Sequence, residues 1–450
     1  MKRFLASASL AILMASQAQA SSFEDALASA WQTNPQMESA RAALRGTAES
    51  LPQAISGWLP SLDFSASAGV SRSDSHPGAR DSSESRSIGL TLSQPIYNGG
   101  GTMSAIRSAK ETIRSGIATF SDSEQTFLLS AITAYVDAIR SAAILKATAN
   151  NEEVLKRQLE ATTDRFDVGE LTRTDVSQAK ASFASVTASR IKAEGDLNSA
   201  IATYESILGS KPNCLPIADG SDIPLPPLPM GMPVSLESTI EEALMANPAM
   251  ITSSASLAIA EEAANAIKAA MRPSLALSAN LGKAWSPSSA TTKDTETASV
   301  TARFSVPIYA GGYDDSRLRQ AKQSIQQSSM ALENTKRTIR QSAISTWESW
   351  TSTHAAIEAY KAAVTASDLA LEGVRSENEV GTRTILDILN AEQDSLDAHV
   401  NLINARRDEL ISAYGLLAVV GRLTARDLAL DVPYFNAPEE AQKVSSHWGW

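Results

Sequence analysis

The chain holds one cysteine, Cys214, in 450 residues, so no disulfide can form within it and the fold must be held by packing or by assembly. Aromatic residues make up only 5% of the chain, too few to fill the core of a compact enzyme of this length. The four histidines, His76, His354, His399 and His447, are scattered without metal-ligand spacing. No HExxH, GxSxG, Walker or GxGxxG pattern occurs. No catalytic residue, metal centre or cofactor site is therefore expected. Acidic residues outnumber basic ones 50 to 39, for a formal net charge of −11, which argues against nucleic acid as a partner. Beyond the first twenty residues no run reaches the roughly 20 apolar positions of a membrane helix, so a bilayer, if crossed, must be crossed by strands.

Residues 1–20 read as a secretory signal peptide: Lys2 and Arg3 are followed by an apolar stretch at 5–15 and by Ala18-Gln19-Ala20 at the cleavage site. Behind it, the chain repeats itself. NPQM at Asn34 returns as NPAM at Asn247, and PSLDFSASAG at Pro60 returns as PSLALSANLG at Pro273, both displaced by 213 positions. PIYNGG at Pro95 returns as PIYAGG at Pro307, and the turn at Val168-Gly169 as Val380-Gly381, displaced by 212. Four landmarks in one order mark a duplicated unit, with boundaries at 21–211 and 234–430. A Pro-rich link at 212–233 joins the copies, and residues 431–450 form a tail without a counterpart.

Each copy carries two period-two segments. Leu62, Phe64, Ala66, Ala68 and Val70 alternate with small or polar residues, as do Ile88, Leu90 and Leu92; in the second copy Leu275, Leu277, Ala279 and Leu281, then Val300, Ala302 and Phe304, do the same. This predicts β-hairpins at 61–93 and 274–305. A half-buried sheet on a soluble core gives the same alternation. The signal peptide favours an outer-membrane barrel instead, as do Trp58, Tyr97, Trp285 and Tyr309 at the strand ends, where interfacial aromatics belong. Four strands cannot close a barrel, so several chains must share one.

The stretches 102–168 and 313–380 contain no proline and one glycine each, Gly116 and Gly373. As helices at 1.5 Å per residue they reach roughly 100 Å. Proline-free runs at 170–208 and 382–420 return from tips near 168–175 and 380–387, giving a long helical hairpin in each copy. The glycines of YNGG and YAGG stand between strand and helix and read as a tight connection rather than as a phosphate loop.

The order of NP helix, PSL strand, polar loop, strand ending in PIYxGG, rod, VG turn and return helix, present twice, resembles the TolC family of outer-membrane efflux and secretion ducts. Residues 307–312 (PIYAGG) and 380–389 (VGTRTILDIL) are the most specific stretches. The resemblance implies a mixed α and β membrane protein: a homotrimer with a twelve-stranded outer-membrane β-barrel, four strands per chain, continued by a periplasmic α-helical barrel. It implies as partners a periplasmic adaptor and an inner-membrane ABC or proton-driven pump, besides outer-membrane lipid. It also places a periplasmic gate at Asp387, with Asn390 where many members have a second aspartate, and a tip lock at Arg383, Asp175 and Thr174. A locking tyrosine of some members corresponds to Asn378. The plainer account of these residues is a helix-turn surface in which Asp and Thr cap helix starts. Two functions stand against each other: a passive exit duct, and a soluble periplasmic coiled-coil adaptor or structural protein.

Overall fold

The computed structural model describes residues 23–74, 80–212, 224–285 and 294–446. The expected signal peptide, the centres of both hairpin loops, Cys214 with the middle of the Pro-rich link, and the last four residues lie outside them. The first repeat runs α1 (Phe23–Thr33), α2 (Pro35–Ala48), α3 (Ser50–Ser56), β1 (Ser61–Asp74), β2 (Arg80–Asn98), α4 (Gly101–Asp167) and α5 (Arg173–Leu208). The second runs α6 (Leu236–Ala246), α7 (Pro248–Ala270), β3 (Ser274–Trp285), β4 (Asp294–Ser305), α8 (Tyr313–Glu379) and α9 (Ile385–Val419), followed by α10 (Ala437–Ser446) in the tail.

The four strands form one antiparallel sheet in the order β1-β2-β3-β4. Because directly paired residues share a face, the register sorts the alternation into two surfaces. Phe64, Leu90, Leu281 and Ala298 stand in one row, and Leu62, Leu92, Ala279 and Val300 in the next. The opposite face carries Asp63, Thr91, Asn280 and Ser299, then Ser65, Gly89, Gly282 and Thr297. Nothing among the described residues covers the apolar face: Phe64 is 71% exposed and Val300 74%. The ladder shifts register between Pro95 and Tyr97, where proline has no N–H to donate.

Both long rods are continuous helices of 67 residues, roughly 100 Å each. They differ in packing. α4 buries 23 residues and α8 six; α9 buries 13 of 35 and α5 five of 36. α4 and α9 are thus the inner pair, each with a neighbour on both sides, while α5 and α8 are edges with an open flank. Gly116 is explained by the crossing of α2, since a Cβ there would stand 2.9 Å from Thr47 Cγ2; a Cβ at Gly373 meets nothing.

The densest core lies halfway down the rods, where Phe127, Leu128, Ile132 and Val136 of α4 meet Leu27 and Trp31 of α1 and Met37 of α2. Contrary to the sequence expectation, α4 contains an eighteen-residue window apolar enough to pass for a membrane span, more than half of it buried inside the chain. Within this core the Glu124 carboxylate accepts from the Trp31 indole at 3.0 Å and from the Ala425 N–H at 3.1 Å, and burial raises its pKa. The tail closes over the same region. Phe435 packs on Phe120 with ring centres 4.8 Å apart, Arg45 meets Glu440 at 3.6 Å, and Ala437 and Ala441 of α10 are buried.

Candidate functional site

The functional residues expected from the sequence collect at the two ends of the molecule. At the strand end, Trp58, Tyr97 and Tyr309 are exposed near the junction of strands and rods. Trp285 lies at the far end of β3, with Lys283 Nζ 5.6 Å from its ring. Tyr97 pairs with Leu275 and Arg86 with Trp285, so ten residues of β3 separate the two aromatic levels. That is about 33 Å along the strand, or about 25 Å along a barrel axis when strands tilt by roughly 40°, the height of an outer-membrane apolar band. Arg86 and Asp294 stand level with Trp285, at the outer edge of this band, and the Lys283–Glu296 ion pair lies two residues inside it.

At the other end, each hairpin turns through a Val-Gly pair with glycine at positive φ, 84° at Gly169 and 80° at Gly381, a conformation costly for other residues. Val168 and Val380 are 74% and 75% exposed. The return helices start with identical capping boxes. Asp387 accepts from the Thr384 N–H at 2.9 Å and its hydroxyl at 2.8 Å, while Thr384 Oγ1 accepts from the Asp387 N–H at 3.3 Å. Asp175 and Thr172 do the same at 2.9, 2.7 and 3.3 Å. The expected capping role is therefore real, with Thr172 rather than Thr174 as the cap; Thr174 is exposed. The backbone and hydroxyl bonds from Thr384 lower the Asp387 pKa, and the hydroxyl and backbone bonds from Thr172 lower that of Asp175. Both are carboxylates at neutral pH.

Arg383 does not meet Asp175 within the chain. Its Nε donates to Glu377 Oε2 at 2.7 Å, a bond that raises its own pKa, and the Asp387 charge adds to this. Asn378 donates to the Arg383 carbonyl at 2.8 Å and so braces the turn. Above the turn, Arg375 of α8 pairs with Glu392 of α9, and Arg190 of α5 with Glu152 of α4 at 2.6 Å. Ile385 and Leu389 of α9 pack with Leu155 of α4 and Val186 of α5, which fixes the opposite face of α9 outward. That face carries Asp387, Asn390, Asp394, Asp397 and Asn401, spaced three or four apart as on one side of a helix. The spacing of Asp394 and Asp397 is present in the sequence, but the packing of Ile385 and Leu389 is what shows the side of α9 they occupy. The matching positions of α5 are Asp175, Gln178, Ser182, Ser185 and Ser189, so the acidic stripe belongs to the second repeat alone.

The outer membrane efflux protein family matches residues 26–210 and 239–422. The chain belongs to that family. It is 29% identical to the outer membrane efflux protein BepC of Brucella suis over 94% of this chain and 90% of BepC. It is 28% identical to the outer membrane protein TolC of Escherichia coli, over 90% and 84%, and 27% identical to the alkaline protease secretion protein AprF of Pseudomonas aeruginosa, over 78% and 72%. Among solved structures, the Campylobacter jejuni CmeC outer membrane channel superposes with a TM-score of 0.77 at 17% identity, covering 94% of this chain and 89% of that one. The protein is thus an outer-membrane channel-type protein reaching into the periplasm, and not an enzyme. The adaptor reading of the long helices falls away, because family and fold both cover the strands as well as the rods.

Proposed function

We propose that three copies of this chain close into one passive exit duct, which carries material delivered by an inner-membrane pump across periplasm and outer membrane. One observation supports this reading: among the described residues a four-stranded sheet with an uncovered apolar face ends in two unpaired edges, β1 and β4, and lipid tolerates no such edges. The rods have the same incompleteness, with open flanks on α5 and α8. One threefold rotation brings β4 beside the next β1 and α8 beside the next α5, giving twelve strands around a lumen lined by Ser, Thr, Gly and Asn. The pump, of ABC or proton-driven type, and a periplasmic adaptor are the partners this reading requires. Relatives named for efflux and for protease secretion favour small molecules or unfolded proteins as cargo.

In this trimer the stripes on α9 face the axis. Three Asp387 carboxylates form a charged ring at the closed tip, three Asn390 amides a neutral ring one turn higher, and Asp394 and Asp397 continue the acidic lining. Arg383 reaches Asp175 and Thr174 of a neighbouring hairpin and locks the tip, with Glu377 holding its guanidinium in place. Light scattering of the detergent-solubilised protein tests the assembly: the mass of three chains is expected, and a stable folded monomer defeats the proposal.

A further inference from the structure

The NP dipeptides were the first repeated landmark in the sequence, and their asparagines make a bond that neither spacing nor family resemblance suggested. Asn34 caps α2: its Oδ1 accepts from the Gln36 N–H at 2.7 Å, while its Nδ2 donates to the carbonyl of Ile207 at 2.8 Å, in the last turn of α5. Asn247 repeats this on α7, accepting from the Ala249 N–H at 2.9 Å and donating to the carbonyl of Val419, the last residue of α9, at 2.9 Å. A helix start has unused N–H groups and a helix end unused carbonyls. One primary amide satisfies one of each, and thereby splices two helices that are separated by 172 or 173 residues of sequence. Pro35 and Pro248 follow at the first helical position, where they lack an N–H to make the join directly. Gly209 and Gly421, at φ 80° and 78°, turn the chain out of the way; a Cβ on Gly421 would stand 2.5 Å from the Ala246 carbonyl.

The consequence lies in what is spliced. α4 and α8 pass this level as unbroken helices down to the tip turns, whereas the return helices that complete each tip, α5 and α9, are joined to α2 and α7 through these amides. We infer that Asn34 and Asn247 are joints: positioning residues that fix the angle at which the tip-bearing helices hang, and so hold the closed tip in register. This rests on the duct reading for its functional meaning, though not for its geometry. The chemistry requires an amide, since aspartate also caps a helix start but cannot donate to a carbonyl.

The test uses the full-length trimer with nitroxide labels at Ser256 of α7 and Asn401 of α9, both exposed and on opposite sides of the joint. Electron–electron distance measurements on trimers that hold one labelled chain among unlabelled ones are expected to give one narrow distribution with Asn247 intact, broadened or shifted in Asn247→Asp and in Asn247→Ala. In planar bilayers, unlabelled Asn247→Asp is expected to raise the fraction of time spent at high conductance about fivefold, the ratio that one neutral hydrogen bond of ordinary net strength supports. If Asn247→Asp matches the parent in both distance and conductance, the asparagine is only a cap and the joint is refuted. Should Asn247→Ala fail to assemble, the aspartate variant decides alone. A broadened distance in Asn247→Asp with no conductance from the parent protein leaves the joint standing and removes the duct.

Discussion

Asp387 serves a helix start and, in the proposed trimer, a ring of charge with the same carboxylate. Thr384 lowers its pKa, so the cap is fully present at neutral pH and is lost only as pH falls through that depressed value, below the ordinary carboxylate range. In the ring the like charges of neighbouring carboxylates oppose this lowering, and the cation preference of the channel is expected to vanish as acid protonates the ring. At Arg383 the structure separates two accounts that the sequence left joined, since its partner within the chain is Glu377. Arg383→Ser is expected to raise single-channel conductance while leaving block by multivalent cations intact. If Arg383 and Asp175 form one lock across chains, the double variant with Asp175→Ala adds little to either single change; an additive double shows that Arg383 acts through Glu377 alone. The capping role of Asp387 was legible because a motif surrounds it. Glu377 was not, because six residues of turn geometry decide whether two exposed side chains meet.

The strands were readable from the alternation at Leu62 to Val70 and Leu275 to Leu281, a pattern that a half-buried soluble sheet shares, and β2 runs on past the expected end at 93 to Asn98. The rods were readable because the absence of proline over 67 residues is itself a signal. What a single element does not reveal is its neighbour. Asn34 and Asn247 looked like ordinary cap residues, and the second half of each amide bond lies at Ile207 and Val419. The tail was unreadable for the same reason: the partners of Phe435, namely Phe120, Arg41 and Arg45, are 315, 394 and 390 positions away. Continuity of the rods can be tested at Ala343, which is fully buried against Ala243 and Val420. Ala343→Pro removes a helix bond and kinks α8 at a local cost of about 3 kcal/mol. In cells the expected result is loss of export with outer-membrane insertion partly retained, because the sheet ends at Ser305, 38 residues from the kink; export at the parent level contradicts a continuous rod.

At the scale of the whole molecule the described residues form an open structure on every level: a sheet with two edges, a bundle with two flanks and an apolar face that no other described residue covers. Acidic composition, scarce aromatics and the lack of any disulfide suit a thin-walled tube of small residues better than a packed globule, since a wall one helix thick has little interior to fill. Duplication supplies the geometry, and the acidic stripe on α9, replaced by glutamine and serine on α5, gives the second repeat its own part at the tip. The central claim is that this tip is the constriction of a duct and that Asp387 lines it. Planar-bilayer recording of the purified trimer, with Asp387→Ala beside the parent, addresses that claim directly. The account predicts a small cation-preferring conductance blocked by multivalent cations, raised in Asp387→Ala with the block weakened. Unchanged conductance and unchanged block in Asp387→Ala would place the carboxylate away from the pore and leave it only the capping of α9.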